Sequence, residues 1–319
     1  MNPAYLAPAW LPGGHAQTLW PLLIKPRPTK LRRERWATPD GDFIDVDHLD
    51  GPPDAPLLVL FHGLEGSAQS HYARSTAQAC KKAGWRLALP HFRGCSGEMN
   101  RRPRAYHSGD SAEIDWILRR LQTANGGRRL HAAGVSLGGN ALLKWAGERG
   151  ASAAEQVTGV VALCAPLDLT ACGHHLAHGF NRVYTQHFLK TLKAVSSARL
   201  RQFPDLFNEA KMLQAINLYQ FDDAVTAPIH GFAGADDYWQ RASAKPWLKS
   251  IAVPTLAVNP KNDPFLPASY LPGTADISPS VRLEQPASGG HVGFVSGNFP
   301  GNLDWLPQRL LHFFLSDLS

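Results

Sequence analysis

The residues best suited to chemistry begin with a serine between glycines. Ser136 lies in the run Gly-Val-Ser-Leu-Gly-Gly at residues 134–139, after an apolar stretch and before a helical pattern over residues 141–146. A strand, a sharp turn and a helix hold such a serine in a strained backbone conformation, and the glycines leave room for the neighbouring chain. The pattern predicts a nucleophilic hydroxyl beside the N–H groups that open a helix.

A serine needs a base to accept its proton and an acid to orient that base. Asp263 follows an apolar strand pattern at residues 255–258, and His291 follows another at residues 281–284. Loops at the carboxyl ends of parallel strands share one edge of a sheet. The order serine, aspartate, histidine therefore predicts a catalytic triad of Ser136, Asp263 and His291.

Each member of this set has another interpretation. Asp168 also follows an apolar strand pattern and is a rival for the acid, and Asp263 could cap a helix beside Pro264. His291 could be a structural loop histidine, and Ser136 could be an ordinary small residue of a turn. The spacing along the chain leaves these alternatives open.

Acyl transfer also needs two N–H groups that stabilise the negative oxygen of the intermediate. Leu137, which follows the serine, should supply one of them. Leu64 should supply the other, because it follows His-Gly directly after the apolar run at residues 57–61. We interpret His62 as a brace for this loop.

Short apolar runs alternate with helical patterns along most of the chain, which predicts an α/β fold with a mostly parallel, doubly wound sheet. Residues 1–319 are predicted to form a single domain, in which residues 1–30 form an N-terminal arm. About residues 167–250 interrupt the alternation, and we expect them to form an inserted helical lid. The buried-strand patterns lie at residues 57–61, 85–90, 130–135, 157–164, 253–258 and 280–284.

Composition narrows the class of protein further. The 319 residues are 44% hydrophobic and contain neither an apolar run long enough to span a bilayer nor a secretory signal pattern. Four cysteines form no disulfide framework, and we predict a cytoplasmic protein. The net charge is +6, and much of the basic charge lies in short clusters, which indicate solvated surface, weak peripheral contact with anionic lipid or attraction to acidic substrates. No nucleic-acid-binding signature accompanies the charge.

Three histidines at residues 174, 175 and 178 have helical spacing that could mimic a metal site. No cysteine, aspartate or glutamate nearby completes a convincing set of ligands. We therefore predict neither a metal nor another cofactor.

Taken together, the motifs resemble those of the YheT-like α/β-hydrolases, which are related to ABHD-type lipid esterases and medium-chain ethyl ester synthases. The resemblance implies an esterase fold with a helical lid, the triad named above, and short- or medium-chain acyl esters as substrates. It covers nearly the whole chain and is carried by the runs at residues 10–19, 62–67, 93–98, 106–109, 134–140, 236–239, 262–264 and 290–294.

The sequence is compatible with three functions. The first is a serine carboxylic ester hydrolase that forms an acyl-enzyme intermediate. The second is an alcohol O-acyltransferase that uses the same triad, and the third is a non-catalytic binding protein on a hydrolase scaffold.

Overall fold

The computed structural model describes residues 4–317 and is organised around one eight-stranded sheet. The strands lie in the order β1-β2-β4-β3-β5-β6-β7-β8. From β4 to β8 every neighbouring pair is parallel, whereas β1 and β2 pair in antiparallel fashion at one edge. The strands are β1 (Arg32–Ala37), β2 (Phe43–Leu49), β3 (Leu57–Phe61), β4 (Arg86–Pro90), β5 (Leu130–Val135), β6 (Val157–Leu163), β7 (Thr255–Val258) and β8 (Val281–Glu284).

Helices cover both faces of this sheet. Side chains of α3 and α4 pack in one apolar cluster with one face of the sheet, and side chains of α2 and α11 pack in another. The predicted fold class is therefore confirmed. The helices are α1 (Gly14–Leu19), α2 (His71–Ala83), α3 (Ser111–Ala124), α4 (Leu137–Arg149), α5 (Leu169–Leu176), α6 (Arg182–Gln202), α7 (Glu209–Gln214), α8 (Leu218–Phe221), α9 (Ala227–His230), α10 (Ala235–Ala242) and α11 (Trp305–His312).

The central strands are buried on both faces because they carry almost only apolar residues. All five residues of β3 are buried, and so are six of the seven in β6. Burial of this kind contributes about 25 cal/mol for each Å² of apolar surface removed from water. The sheet therefore forms a rigid base for the loops at its carboxyl edge.

The segment between β6 and β7 has a different organisation. Residues 167–250, all of which the structure describes, contain α5 to α10 and no strand. They carry small apolar clusters of their own, including one around Met212 and Phe221. Whether this segment acts as a lid, and whether the chain forms a single domain, stay predictions.

The N-terminal region is less extended than the sequence indicates. Residues 14–19 form α1, and its Gln17 and Thr18 are buried. A helix this short, with polar residues on its buried side, has no repeating apolar pattern in the sequence that would predict it. Residues 1–3 of the predicted arm lie outside the described residues.

Among residues 4–317, the structure contains no helix that combines the length and hydrophobicity needed to cross a membrane. The cytoplasmic location and the weak contact with anionic lipid stay predictions.

A buried asparagine on α4 joins three parts of the fold. Asn140 donates through Nδ2 to the carbonyl oxygens of Ser108 and Ala242, each at 2.8 Å, and its Oδ1 accepts from the N–H of Ala244 at 2.9 Å. The amide thereby supplies hydrogen-bond partners to backbone groups in the loop before α3 and at the C-terminal end of α10. These groups lie away from water, so each needs a partner.

We expect Asn140→Ala to lower the free energy of unfolding by about 3 kcal/mol, because it leaves buried backbone groups unpaired. Urea unfolding followed by tryptophan fluorescence measures the change. Gln214→Ala is the matched control, since Gln214 is exposed at the end of α7. A loss in Asn140→Ala no larger than in this control would contradict the structural role.

Candidate active site

Ser136 occupies a sharp turn between β5 and α4. Its φ of 53° and ψ of −121° define a backbone conformation that residues other than glycine rarely adopt. Neighbouring glycines make the turn possible, because a Cβ on Gly134 would lie 2.4 Å from the carbonyl oxygen of Gly138. A Cβ on Gly138 would likewise lie 2.4 Å from the carbonyl oxygen of His62. Backbone packing at these glycines therefore fixes where the serine stands.

The structure brings the three predicted residues into one hydrogen-bonded chain. His291 Nε2 lies 3.0 Å from Ser136 Oγ. His291 Nδ1 lies 2.9 Å from Asp263 Oδ2 and 3.2 Å from Oδ1. This geometry suits a neutral imidazole that keeps its proton on Nδ1 and accepts the hydroxyl proton at Nε2.

The carboxylate of Asp263 is buried and has a second partner. Its Oδ1 accepts from the N–H of Phe265 at 2.8 Å. The ring of Phe265 stacks on the His291 ring, with centroids 3.8 Å apart and planes at 13°. Phe265 therefore helps to orient both the acid and the base.

The rival acid has another role. Asp168 caps α5, where its side chain accepts from the N–H of Ala171 at 2.9 Å. An aspartate at this position satisfies an N–H that the first turn of a helix leaves without a partner.

Helix α1 supports the histidine loop, a role that reasoning from the sequence missed. Thr18 Oγ1 accepts from the N–H of His291 at 2.8 Å. Gln17 Oε1 accepts from Gly289 N and from Asn262 Nδ2, both at 2.9 Å. One short helix thus binds the loops that carry the base and the acid. The signal lies in the run at residues 10–19, which also carries part of the family resemblance.

Two backbone N–H groups near Ser136 fit the predicted oxyanion hole. Leu137 is the first residue of α4, and Leu64 follows Gly63, whose Cβ would lie 3.2 Å from the Cβ of Ser136. In the part of the chain that the structure describes, neither the Leu64 nor the Leu137 N–H has a hydrogen-bond partner. Glu65 follows with a φ of 52°, a left-handed conformation at the turn of this loop.

His62 supports the loop that carries Leu64 through two contacts with backbone groups. Its side chain is fully buried, with Nδ1 2.8 Å from the carbonyl oxygen of Gly63. Nε2 accepts from the N–H of Phe92 at 3.0 Å. Burial lowers the pKa of His62 to about 3, so the ring is neutral and donates from Nδ1.

A cavity of about 130 Å³ opens beside Ser136. It runs between the carboxyl edge of the sheet and the helices of residues 167–250. Most of its lining is apolar and comes from these helices, together with Leu64 and Leu137. Apolar side chains of residues 167–250 that line it include Leu169, Leu176, Phe188, Leu192, Val195, Leu218, Phe221, Val225, Ile229 and Trp239.

One group of potential metal ligands occurs among residues 4–317, and it overlaps the triad. Cys164, Asp263 and His291 have ligand atoms within 4.8 Å of one another. Burial raises the pKa of the Cys164 thiol well above its usual value, so the thiol stays protonated and is a poor ligand. The histidines at 174, 175 and 178 form no such group within the described chain.

The parallel sheet, the serine turn and the downstream acid and base define a class of protein. A model of the alpha/beta hydrolase fold matches residues 56–298. The chain belongs to the α/β-hydrolase family.

Individual relatives narrow this assignment. "Putative esterase YheT" of Escherichia coli (strain K12) is 40% identical over 303 residues, which cover 93% of this chain and 88% of that protein. "Phospholipase ABHD3" of Mus musculus is 27% identical over 320 residues, which cover 97% of this chain and 77% of the relative. The predicted YheT-like family is thus confirmed, and the predicted enzyme class agrees with the name of the E. coli relative.

A solved structure supports the fold independently. An esterase of Pyrococcus furiosus superposes with a TM-score of 0.58 at 14% identity, and the match covers 91% of this chain and 92% of the other. At this level of identity the likeness concerns the fold alone.

The buried His62 predicts a pH-dependent stability. The unfolded chain binds a proton at this histidine below pH 6.5, whereas the folded chain binds it only near pH 3. The stability that His62 contributes is therefore present above pH 6.5 and lost as the pH falls. The difference in unfolding free energy between wild type and His62→Gln should shrink by about 1.4 kcal/mol per pH unit below 6.5.

Chemical unfolding between pH 7 and pH 4 measures this difference. His187→Gln serves as the control, because His187 is exposed on α6. A difference between wild type and His62→Gln that does not change with pH would show that His62 is not held in its neutral form.

Proposed function

We propose that this protein is a serine carboxylic ester hydrolase that acts on short- to medium-chain acyl esters through an acyl-enzyme intermediate. Ser136 is the nucleophile, His291 the base and Asp263 the acid that orients it. The hydrogen-bonded chain from Ser136 Oγ through His291 to Asp263 carries this proposal. The relative named an esterase, at 40% identity, supports the same class of reaction.

The first half of the reaction transfers the acyl group to the enzyme. His291 Nε2 accepts the proton of Ser136 as Oγ attacks the ester carbonyl carbon. The carbonyl oxygen becomes negative and accepts hydrogen bonds from the N–H groups of Leu64 and Leu137. His291 then gives its proton to the departing alcohol.

The second half returns the enzyme to its starting state. Water takes the place of the alcohol beside His291, which removes a proton as the water oxygen attacks the acyl carbon. The carboxylic acid leaves, and the proton returns to Ser136. Throughout, Asp263 keeps the proton of His291 on Nδ1 and stabilises the charged ring.

The cavity beside Ser136 supports the proposed acyl length. An apolar cavity of about 150 Å³ accommodates a molecule of benzene. The volume of about 130 Å³ therefore suits an acyl chain of roughly six carbon atoms. Longer chains would have to displace the helices of residues 167–250 or extend into solvent.

Replacement of the nucleophile tests the reaction. We expect Ser136→Ala to lower kcat for p-nitrophenyl butanoate by about 10⁴-fold or more, because only binding and the oxyanion hole would remain. Spectrophotometric assays measure the rate, and a fluorophosphonate probe should label wild type but not the variant. Asp168→Asn is the matched control for the rival acid and should retain the catalytic rate, whereas Asp263→Asn should not.

Three results would contradict the proposal. Turnover of Ser136→Ala at the wild-type rate would show that Ser136 is not the nucleophile. Absence of both labelling and hydrolysis in the wild type would indicate a binding protein. Ester formation faster than hydrolysis, when ethanol and an acyl thioester are supplied, would indicate an alcohol O-acyltransferase.

A substitution on α6 should change the preference of the enzyme for acyl chain length. Leu192 lines the cavity and is half-buried. In Leu192→Trp the larger ring should fill the space beyond the first few carbons, and kcat/KM for octanoate relative to butanoate should fall about tenfold or more. A series of p-nitrophenyl esters measures the profile. Leu192→Met, which conserves volume, should keep it, and an unchanged profile in Leu192→Trp would place the acyl chain elsewhere.

A further inference from the structure

One arginine of the cavity has neither a hydrogen bond nor an ion pair among residues 4–317. Arg199 lies in the last turn of α6, is only 4% exposed and lines the same cavity as Ser136. Within residues 4–317 its guanidinium makes neither a hydrogen bond nor an ion pair. Burial lowers the pKa of Arg199, yet arginine keeps its charge in proteins. A charged group is therefore held in an apolar cavity without protein acceptors.

A second arginine of the cavity, Arg93, is fully paired with carboxylates of the chain. Arg93 is equally buried, and its nitrogens lie 2.6 Å from Glu113, 2.9 Å from Asp40 and 3.0 Å from Asp42. These carboxylates neutralise the charge that burial would otherwise make costly. The contrast indicates that a bound ligand, rather than the chain itself, supplies the acceptor for Arg199.

Ser196 adds a second donor at the same place. It precedes Arg199 by three residues, so the two side chains share one face of α6. Ser196 is buried and lines the cavity, and its hydroxyl has no hydrogen-bond partner in the described chain. A guanidinium and a hydroxyl side by side match the oxygens of a carboxylate or a phosphate.

We propose that Arg199 and Ser196 bind a carboxylate or phosphate group carried by the acyl part of the substrate. The inference rests on the proposed esterase function and makes its substrate more specific. The preferred ester would be the monoester of a molecule with a second, anionic end.

The direction of α6 places the anion on the acyl side. Phe188, near the start of this helix, packs edge to face against Phe265, which stacks on His291. The alcohol must leave beside His291, since that residue protonates it. Arg199 lies 11 residues further along α6, and because helical side chains lean toward the N-terminus of their helix, its guanidinium extends back toward Phe188. An acyl chain that passes Leu192 and Val195 would end at Arg199.

Glu65 is the acidic group whose charge acts most on the pKa of Arg199, and burial disfavours the ionised form of Glu65. Its Oε1 accepts from the hydroxyl of Tyr106 at 2.7 Å. Burial raises the pKa of Glu65 above its usual value, although the Tyr106 hydroxyl and the charge of Arg199 oppose the shift. Glu65 lies beyond ion-pair distance of Arg199, which leaves the guanidinium open to a ligand.

A pair of substrates of equal chain length tests the proposal. We compare mono-p-nitrophenyl adipate, whose six-carbon acyl chain ends in a carboxylate, with p-nitrophenyl hexanoate. In Arg199→Gln, the ratio of kcat/KM for the adipate ester to that for hexanoate should fall about 10- to 100-fold. Arg199→Lys should keep part of the preference, because it retains the charge but loses the planar pair of donors.

The p-nitrophenyl ester of 5-phosphonopentanoic acid forms a third arm. A higher kcat/KM for this ester than for the adipate ester would identify phosphate as the natural group, and the reverse would identify carboxylate. Arg201→Gln is the matched control, because Arg201 is exposed two residues further along α6. Its ratio should equal that of the wild type.

Direct binding separates this inference from the proposed reaction. Calorimetry should detect adipate binding to Ser136→Ala and a loss of that binding, about tenfold or more, in Ser136→Ala/Arg199→Gln. An unchanged substrate ratio in Arg199→Gln, together with equal adipate binding in the two Ser136→Ala proteins, would overturn the anion site while esterase activity stands. Absence of all hydrolysis with intact adipate binding would overturn the esterase proposal and support the site.

Discussion

The contact between the start of α4 and the ends of β3 and β5 is the constraint on which the rest of the site depends. A helix can approach so closely only where side chains are absent, and Gly134 and Gly138 provide that space. The close approach forces Ser136 into its left-handed conformation and leaves the N–H of Leu137 open toward the cavity. The position of Ser136, its backbone strain and the placement of the Leu137 N–H beside it thus have one common origin in backbone packing.

Much of this arrangement could be predicted from the sequence, because the relevant signals are local. A buried parallel strand reads as an apolar run, and residues that follow such runs must meet at one edge of the sheet. Ser136, Asp263 and His291 were therefore predictable from their order. The sequence does not separate Asp168 from Asp263, since both follow strands. In the structure Asp168 accepts from the N–H of Ala171, whereas Asp263 lies 2.9 Å from His291.

Other parts depend on contacts that no local pattern encodes. The bonds from Gln17 and Thr18 to the acid and histidine loops join positions more than 240 residues apart. The helices of residues 167–250 pack in several small clusters, so their path follows from tertiary packing rather than from one apolar period. The isolation of Arg199 was invisible for the same reason, because an arginine in a sequence shows nothing about which acceptors surround it.

The hydrogen bonds from α1 have a consequence for the order in which the molecule matures. Gln17 leaves the ribosome 272 residues before Gly289, from whose N–H it accepts a hydrogen bond. Contacts of such separation form late, because the chain must close a very long loop before they stabilise anything. A nascent chain that extends only as far as β6 can already form the serine turn, whereas the loops of Asp263 and His291 that α1 binds have not yet been made. Under the proposed mechanism, such a partly made chain exposes Ser136 without the base and the acid that its reaction requires.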